Sequence, residues 1–448
     1  MEPVTLATAA LSLVLVLLAL RVPIAFALGG VACLGLFVFF AWRPGGEFEA
    51  MRAIRPTMSL IGNTSFEFVH NYPLSMIPLF IGLGHIAYHA GITTDLYDAM
   101  RVWLARLPGG LAMASVVGCG GFSAITGSSV ACASAMGRIT VPEMLRAGYS
   151  KELSTGAVAA GGTLGSLIPP SLLFVIYSIF TEESVRTLFL AGIGPGLLSL
   201  LGFLITIFIW AKLNPAAAPV PTEQELPFTE KLRALAGIWP AGLLLCVIII
   251  GIYWGFFTPT EAAAISMTLA LLIGAARRRL SRHNLFAAFR ETAIQTSTIF
   301  LIAMGAKIFV SFVSLTRIAP NLLDWIQGTG APIFVVMACV VLFYLFLGMF
   351  LDSIGILVLT LPFTIPLVEG YGLDLIWFGV VVIKLLEIGL ITPPVGLNVF
   401  VIKSVAPKTV ELEQIFKGVA WFLILDLVVL LAILLIPEIS LFIPDTAR

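Results

Sequence analysis

The sequence has few charged residues for its length. Only 11% of its 448 residues are Asp, Glu, Lys or Arg, whereas a soluble domain carries about 25%. Hydrophobic residues make up 59% of the chain, and the mean hydropathy is +1.06. Such a chain cannot cover itself with polar surface, so the composition predicts an integral membrane protein that lies in a lipid bilayer.

The chain also lacks an excess of charge of either sign. It has 25 basic and 25 acidic residues, so its net charge is zero and there is no electrostatic case for binding nucleic acid. The five cysteines lie in apolar segments without the spacing of a metal site, and we interpret them as small buried hydrophobic residues. They are Cys33, Cys119, Cys132, Cys246 and Cys339.

Histidine is rare as well, with four residues in the chain. His85 and His89 have the i, i+4 spacing of a metal-binding pair. Ile86 follows His85 where the glutamate of a zinc-protease helix would stand. We therefore interpret both as interface histidines near the end of a span, with no cofactor.

Apolar stretches of about 20 residues, the length that spans a bilayer as a helix, recur along the chain. Three mixed or amphipathic segments between them suit the membrane interface: 43–66, 93–106 and 319–327. Full spans are predicted at 4–20, 22–42, 68–90, 187–211, 236–256, 260–276, 291–316 and 414–437.

Two stretches rich in glycine and proline, Gly161–Ser171 and Glu387–Asn398, interrupt apolar runs. Proline lacks the N–H that a helix needs and clashes with the preceding turn. We therefore predict broken helices at 152–180 and 374–404. Unwound backbone at membrane depth is tolerated only where protein or a watery cavity surrounds it, so both breaks are candidates for a transport site.

Two further apolar stretches, 109–142 and 331–366, have small or polar residues at their centres. These are Thr126–Ser129 in the first and Asp352 with Ser353 in the second. A single span has no reason to place such residues at mid-depth, whereas the tip of a re-entrant hairpin must turn there. We predict two re-entrant hairpins. The alternative for each tip is a close helix-packing contact between small residues.

The prolines repeat with a displacement of 224 residues, which takes Pro108 to Pro332, Pro142 to Pro366 and the pair 169–170 to 393–394. We infer two structural repeats, 1–213 and 230–448, joined by a cytoplasmic Pro/Ala-rich linker at 214–229. With both termini outside, the linker and the arginines at 277–282 fall inside, as the positive-inside rule requires. The hairpins then enter from opposite faces, so the repeats are inverted.

A set of short motifs resembles the large membrane subunit of tripartite ATP-independent periplasmic (TRAP) transporters, DctM type, over nearly the whole chain. The motifs are Gly127–Ser129, Pro142–Met144, Thr155–Ala157, Ala160–Gly165, Ile168–Ser171, Phe189–Ile193, Phe257–Ala262 and Gly389–Asn398.

The resemblance implies an all-α, elevator-type secondary transporter of the bacterial inner membrane, not an enzyme. It implies sodium-coupled import of an organic acid anion, such as a dicarboxylate or sugar acid. It also implies two partners, a small four-helix membrane subunit and a periplasmic solute-binding protein.

Backbone carbonyls and hydroxyls at breaks and tips can hold sodium without burying a full charge, and helix N-termini favour anions. The first predicted sodium site comprises Gly127, Ser128, Ser129, Gly161, Gly162 and Thr163, and contains no ionisable group. The second comprises Asp352, Ser353, Gly389 and Thr392. The predicted substrate-binding residues are Gly165, Ser166, Pro169, Ser171, Pro393, Gly396 and Asn398.

Three charged residues have alternative interpretations. Lys384 and Glu387 are one turn apart, so they either neutralise each other as an ion pair or act directly on substrate or ion. Asp352 either ligates a cation or caps a hairpin arm.

Two alternative functions share some of these features. A stand-alone inverted-repeat carboxylate or ion transporter would have the same architecture and differ in lacking partner subunits. An intramembrane hydrolase would need a nucleophile and a base at matched depth, but neither hairpins nor broken helices contain a histidine.

Overall fold

The computed structural model describes residues 2–42, 47–104, 106–219 and 227–446, and these residues form an all-α protein. The helices of the first part are α1 (Pro3–Ala19), α2 (Ile24–Ala41), α3 (Ala50–Val69), α4 (Met76–His89), α5 (Ile92–Leu104), α6 (Gly110–Thr126), α7 (Ser129–Arg146), α8 (Lys151–Gly162), α9 (Leu172–Thr181) and α10 (Val185–Leu213). Those of the second part are α11 (Phe228–Gly237), α12 (Trp239–Tyr253), α13 (Pro259–Ala276), α14 (Arg282–Thr316), α15 (Ile318–Gly328), α16 (Ile333–Gly348), α17 (Ser353–Gly370), α18 (Leu375–Gly389), α19 (Leu397–Val405), α20 (Leu412–Leu435) and α21 (Glu438–Thr446).

Six of the described helices are long and apolar enough to cross a membrane: α2, α10, α13, α14, α17 and α20. Counting two bent pairs as spans raises the number to eight. One pair joins residues 72–89 to α5 with a bend of 62°, and the other joins 229–237 to α12 with a bend of 52°. By length alone α17 is a candidate span, although the sequence predicts it to be a hairpin arm.

The segments predicted at the interface are mostly helical. α3 carries polar and apolar faces and α15 covers the predicted piece at 319–327. Residues 43–46 of the first such segment and 220–226 of the predicted linker lie outside the described residues. α14 begins at Arg282, earlier than the predicted 291, because Ser281 caps it by accepting the Asn284 N–H.

Both predicted helix breaks are present. α8 ends at Gly162, continues as a 3₁₀ turn over Thr163–Ser166, and restarts as α9 after Ser171, whose Oγ accepts the Phe174 N–H at 3.3 Å. α18 ends at Gly389, and α19 begins after Gly396, which has a φ of +61°. The proline-proline bond in each break is cis.

Each predicted hairpin is two helices joined by a short tip. α6 ends at Gly127, which has a φ of +62°, and Ser128 caps the start of α7. α16 ends at Gly348, and Asp352 caps the start of α17. Serine and aspartate are both good N-cap residues because their oxygens accept an otherwise unpaired backbone N–H.

The helix boundaries follow the displacement seen in the prolines. Both ends of α7 shift by 224 residues onto both ends of α17 (353 − 129 and 370 − 146). The same shift takes the N-cap Ser150 of α8 to the N-cap Asp374 of α18. The second hairpin and broken helix therefore repeat the local structure of the first, including the positions of their caps.

The helices pack in two groups. One group contains α1–α4 and α12–α15, in which α14 packs along α2 and α4. The other contains the hairpins and broken helices, in which α20 and α10 cross α8, α18 and each other. Within the second group, one arm of each hairpin contacts the first group: α6 packs against α4, and α17 packs against α14. The hairpins thus face the first group across the middle of the protein.

The interpretation of all five cysteines as buried is wrong for three of them. Cys119 and Cys132 are buried between the arms of the first hairpin, where the Cys132 Sγ–H donates to the Cys119 carbonyl. Cys33 is half-buried, and Cys246 and Cys339 are exposed. An apolar helix with one face toward lipid can carry small apolar residues on either face, so hydropathy alone does not fix their burial.

α8 and α20 cross at a pair of glycines. A Cβ atom on Gly156 would lie 2.7 Å from the Gly418 carbonyl oxygen and 2.8 Å from its Cα. Only glycine allows the two backbones to approach this closely. This crossing joins the first broken helix to the last long helix of the chain.

We predict that Gly156→Val destabilises the protein by about 1–3 kcal/mol, because the added side chain forces the two helices apart. The matched control is Gly62→Val on α3, where no atom lies within 4 Å of an added Cβ. Thermal unfolding of the detergent-purified variants measures both changes. Equal melting temperatures for the two variants would contradict the close crossing.

Candidate functional site

The tip of the first hairpin sits directly against the first helix break. The Gly127 carbonyl accepts the Leu172 N–H at 3.2 Å, at the start of α9. The Ser129 and Ser166 hydroxyls are 2.9 Å apart. A Cβ atom on Gly165 would lie 2.6 Å from the Ser129 nitrogen, so glycine is required for this approach. The prediction that this tip approaches its own broken helix is confirmed.

A carboxylate from the second half of the chain enters the same cluster. The Ser129 hydroxyl donates to Glu387 Oε2 at 2.7 Å. Glu387 is fully buried, and its Oε1 has no hydrogen-bond partner among the described residues. The prediction that no ionisable group lies at the first tip is therefore wrong. α18 packs against the 3₁₀ turn of the first break, which brings a residue 258 positions away into contact.

The second hairpin tip presents Asp352 and Ser353. Asp352 Oδ2 accepts the Gly355 N–H at 3.0 Å, so its role as a cap is confirmed. Its role as a cation ligand remains a prediction. The Ser353 hydroxyl is buried and has no partner among the described residues. The Ser353 hydroxyl oxygen is thus available to a ligand.

Both tips and both breaks meet around one cavity of about 130 Å³. One further wall comes from Gln295 and Ile299 on α14, in the other helix group. The remaining lining residues are Gly127, Ser128, Ser129, Val130, Ser166, Leu172, Leu173, Asp352, Ser353, Ile354, Glu387, Leu390 and Leu397. We call this the central cavity. Two of its lining residues are carboxylic acids, and none of those described is cationic.

Several predicted sodium-site residues lie close to the central cavity without lining it. Gly161 packs against Cys119, and the Thr163 hydroxyl donates to the Ala160 carbonyl of its own helix. Gly162 packs against the first hairpin, with the Ser129 carbonyl 3.2 Å from where its Cβ would be.

The other two residues of the second predicted sodium site are also turned away from the cavity. Gly389 packs against the backbone of Gly348, in the second hairpin. The Thr392 hydroxyl donates to the Ile388 carbonyl at 2.6 Å, and Thr392 lines a separate apolar groove. The second break therefore contacts its hairpin through Gly389 and Gly348, whereas the first adds a contact between two serine hydroxyls.

Of the predicted substrate-binding residues, some line the central cavity and others lie outside it. Ser166 lines the central cavity, while Gly165 and Ser171 hold the first break in place. Pro169 lies on the far side of that break, and Pro393 is exposed.

Gly396 and Asn398 lie just beyond the second break. Gly396 is the cap residue before α19. The buried Asn398 donates from Nδ2 to the Ala159 carbonyl at 3.3 Å, which ties the second break to α8. Its Oδ1 has no partner among the described residues.

Lys384 does not pair with Glu387, so that interpretation is wrong. Lys384 Nζ forms an ion pair with Asp426 on α20 and donates to the Ser199 hydroxyl on α10 at 3.0 Å. The side chains of Lys384 and Asp426 are both 0% exposed. α18 directs Lys384 toward α10 and α20, while Glu387, one turn later, faces the first hairpin. The two charges therefore serve different contacts.

Asp426 and Gln295 are important residues of the structure that no sequence pattern above selects. A signal for Asp426 exists, because it is the only charged residue between Lys417 and Glu438 in an apolar run, and such residues are rare and meaningful. For Gln295 there is no comparable signal, since α14 carries several polar residues.

His85 and His89, on α4, contact polar side chains of α14. Glu291 Oε2 lies 3.1 Å from His85 Nδ1 and 3.1 Å from His89 Nε2. His85 Nε2 is 3.0 Å from Gln295 Oε1. Among the described residues no group of three His, Cys, Asp or Glu side chains could hold a metal ion. The histidines therefore join α4 to α14 beside the central cavity.

Comparison with known proteins shows which family the chain belongs to. Residues 11–439 match the family described as "Tripartite ATP-independent periplasmic transporter, DctM component". The chain belongs to the DctM family of TRAP transporter large permeases. Members of this family are binding-protein-dependent secondary transporters, so the protein is a multi-pass membrane transport subunit and not an enzyme.

Two relatives place the chain within the TRAP permeases, and one solved structure shares its fold. It is 34% identical over 384 residues to the "C4-dicarboxylate TRAP transporter large permease protein DctM" of Pseudomonas aeruginosa, covering 85% of this chain and 88% of the relative. It is 30% identical to the "Sialic acid TRAP transporter large permease protein SiaM" of Vibrio cholerae, covering 84% and 87%. The YdaH transporter of Alcanivorax borkumensis shares the fold, with a TM-score of 0.57 at 14% identity over 99% of this chain and 98% of YdaH.

We predict that Lys384→Met lowers the stability of this TRAP permease by about 3–5 kcal/mol, because it leaves Asp426 buried and unpaired. The double variant Lys384→Met with Asp426→Leu should recover most of the loss, since it removes both charges. Thermal unfolding in detergent measures the effect. The control double variant, Lys384→Met with Glu387→Gln, should stay as unstable as the single variant. Rescue by Glu387→Gln instead would mean that Glu387 is the partner of Lys384.

Proposed function

We propose that this TRAP permease imports an organic acid anion together with sodium ions, and that both bind in and around the central cavity. The observation that carries the proposal is the convergence of both hairpin tips and both helix breaks on one cavity that Glu387 also lines. Glu387 Oε1 is buried and has no hydrogen-bond partner among the described residues. Ionised carboxylates in a protein interior need a compensating charge or hydrogen bonds. The cavity offers oxygens for a cation, and its described lining has no cationic side chain.

Sodium fits this chemistry because it is a hard cation that prefers oxygen ligands. The Glu387 carboxylate, the Ser129 and Ser166 hydroxyls and the carbonyls of the first tip supply such ligands within one cluster. Asp352 and Ser353 supply a second cluster at the other tip. Unwound backbone and helix ends serve sodium in this way in other secondary transporters. We propose that Gly161–Thr163, Gly389 and Thr392 do not bind sodium directly and instead hold the hairpins and breaks in position around these sites.

The substrate anion would lie between the two sodium clusters. The helices that restart after the breaks, α9 and α19, have their N-termini near the cavity, where the helix dipole favours negative charge. Bound sodium would offset Glu387 and Asp352, and the anion could then enter a site that is otherwise acidic. This gives a physical reason for coupling, because the anion and the cations need one another. The substrate class is proposed at the level of an organic acid, since the relatives are named for different acids.

We further propose that the two repeats, 1–213 and 230–448, are inverted and that the hairpins and broken helices move as one body against α1–α4 and α12–α15. Arginines at 277–279, of which Arg277 and Arg279 bind Asp95, mark the cytoplasmic side by the positive-inside rule. Both termini are then periplasmic. The partners are a small membrane subunit and a periplasmic binding protein in the bacterial inner membrane.

We predict that transport in vesicles carrying all three proteins requires sodium and that Ser129→Ala raises the sodium concentration for half-maximal uptake by about tenfold, the effect of losing about 1.4 kcal/mol of ligand interaction. Uptake of labelled succinate, sialic acid and other organic acids is measured against separate sodium and proton gradients. The control is Thr140→Ala on the same helix, whose hydroxyl donates to the Met136 carbonyl away from the central cavity. Full uptake on a proton gradient in sodium-free buffer would contradict the proposal.

A further inference from the structure

A second cavity, of about 230 Å³, lies beside the central cavity between the first hairpin and the other helix group. Its walls come from α4, α6, α7 and α14. Ser128 and Gln295 line both cavities, so the two spaces share a wall at the hairpin tip. We call the second space the vestibule.

The vestibule contains the fixed positive charge that the central cavity lacks. Arg138 lines it from α7, nine residues beyond Ser129. No acidic partner of Arg138 is found among the described residues. Two other arginines do have acidic partners: Arg101 of α5 pairs with Glu143 of α7, and Arg277 pairs with Asp95 of α5 at 2.5 Å. Arg138 is therefore a guanidinium on a cavity wall with its hydrogen-bond donors available.

The opposite wall carries the one acidic residue among those that line the vestibule, Glu291. His85 and His89 both contact its Oε2 at 3.1 Å. Its carboxylate is held by α4 and does not form an ion pair with Arg138. The polar groups on the side of Arg138 are the hydroxyls of Ser134 and Ser128, and Ser128 also begins α7, where the helix dipole is positive.

We propose that Arg138, with Ser134 and Ser128, forms a second anion-binding subsite that receives the carboxylate of an organic acid between the central cavity and the cytoplasm. The proposal rests on the proposed function for the identity of the transported solute. Arginine suits this role because its planar guanidinium binds a carboxylate through two parallel hydrogen bonds. Arg138 is a specificity-determining residue here: it favours anions over neutral and cationic solutes along the path.

The charge of the vestibule can be measured without transport. Ser134→Cys supplies a reactive thiol on the proposed subsite, in a background in which Cys33, Cys246 and Cys339 are replaced by alanine. The purified protein is treated with a negatively charged sulfonatoethyl methanethiosulfonate and, separately, with its positively charged trimethylammonium analogue. The ratio of the two reaction rates reports the local electrostatic potential. Millimolar succinate is then added as a probe of anion binding.

We expect the ratio to favour the anionic reagent and to fall about tenfold with Arg138→Gln, because a unit charge within several ångströms is removed. Arg138→Lys should keep the ratio, and Arg146→Gln, two turns further along α7 and outside the vestibule, should leave it unchanged. Succinate should slow modification of the Arg138 protein and not of the Gln variant. In three-component vesicles, Arg138→Gln should raise the KM for the transported acid.

An unchanged reagent ratio in Arg138→Gln would overturn the subsite, as would an introduced thiol at position 134 that reacts with neither reagent. Ala131→Cys, on the same wall, repeats the measurement if the first reporter perturbs folding. These outcomes do not depend on sodium or on uptake. Failure of sodium-driven uptake with a normal reagent ratio would contradict the proposed function and leave the anion subsite standing.

Discussion

The architecture depends on satisfying polar groups where two helices are broken inside an apolar protein. Lipid offers no hydrogen bonds, so unwound backbone must find its partners in protein or enclosed water. At the first break the hairpin tip supplies these partners. The Gly127 carbonyl accepts the Leu172 N–H, and the Ser129 and Ser166 hydroxyls form a hydrogen bond. The glycine at 165 allows this approach. The hydrogen bond from Ser129 to Glu387 then ties the first half of the chain to the second.

That bond also explains why the centre of the protein is suited to ions. Glu387 is fully buried, uses one oxygen to hold the hairpin and leaves the other without a partner among the described residues. Lys384, one turn earlier, forms an ion pair with Asp426 and donates a hydrogen bond to the Ser199 hydroxyl. The ion pair fastens α18 to α10 and α20, and this frees Glu387 to face the cavity. α18 thus carries two charged residues on different sides: Lys384, which forms a structural ion pair, and Glu387, which lines the central cavity.

Much of the fold could be predicted from the sequence because prolines and glycines mark backbone breaks. The glycine- and proline-rich stretches located both broken helices, and the small or polar residues at the centres of two apolar stretches located both hairpins. The caps Ser128 and Asp352 obey the displacement of 224 residues seen in the prolines. The contacts between halves could not be predicted. Nearness in sequence suggested that Lys384 binds Glu387, but the direction of each side chain depends on which helices pack around α18. Hydropathy also could not separate faces toward lipid from faces toward protein, as Cys246 and Cys339 illustrate.

The central claim is that Glu387 belongs to a sodium site formed by both halves of the chain. The most direct measurement is the melting temperature of the purified subunit in increasing sodium chloride, with choline chloride holding the ionic strength constant. A ligand that binds only the folded state raises stability with its concentration. The account predicts a sodium-dependent rise for the native protein and a flat response for Glu387→Gln. A rise of equal size in both proteins would contradict it.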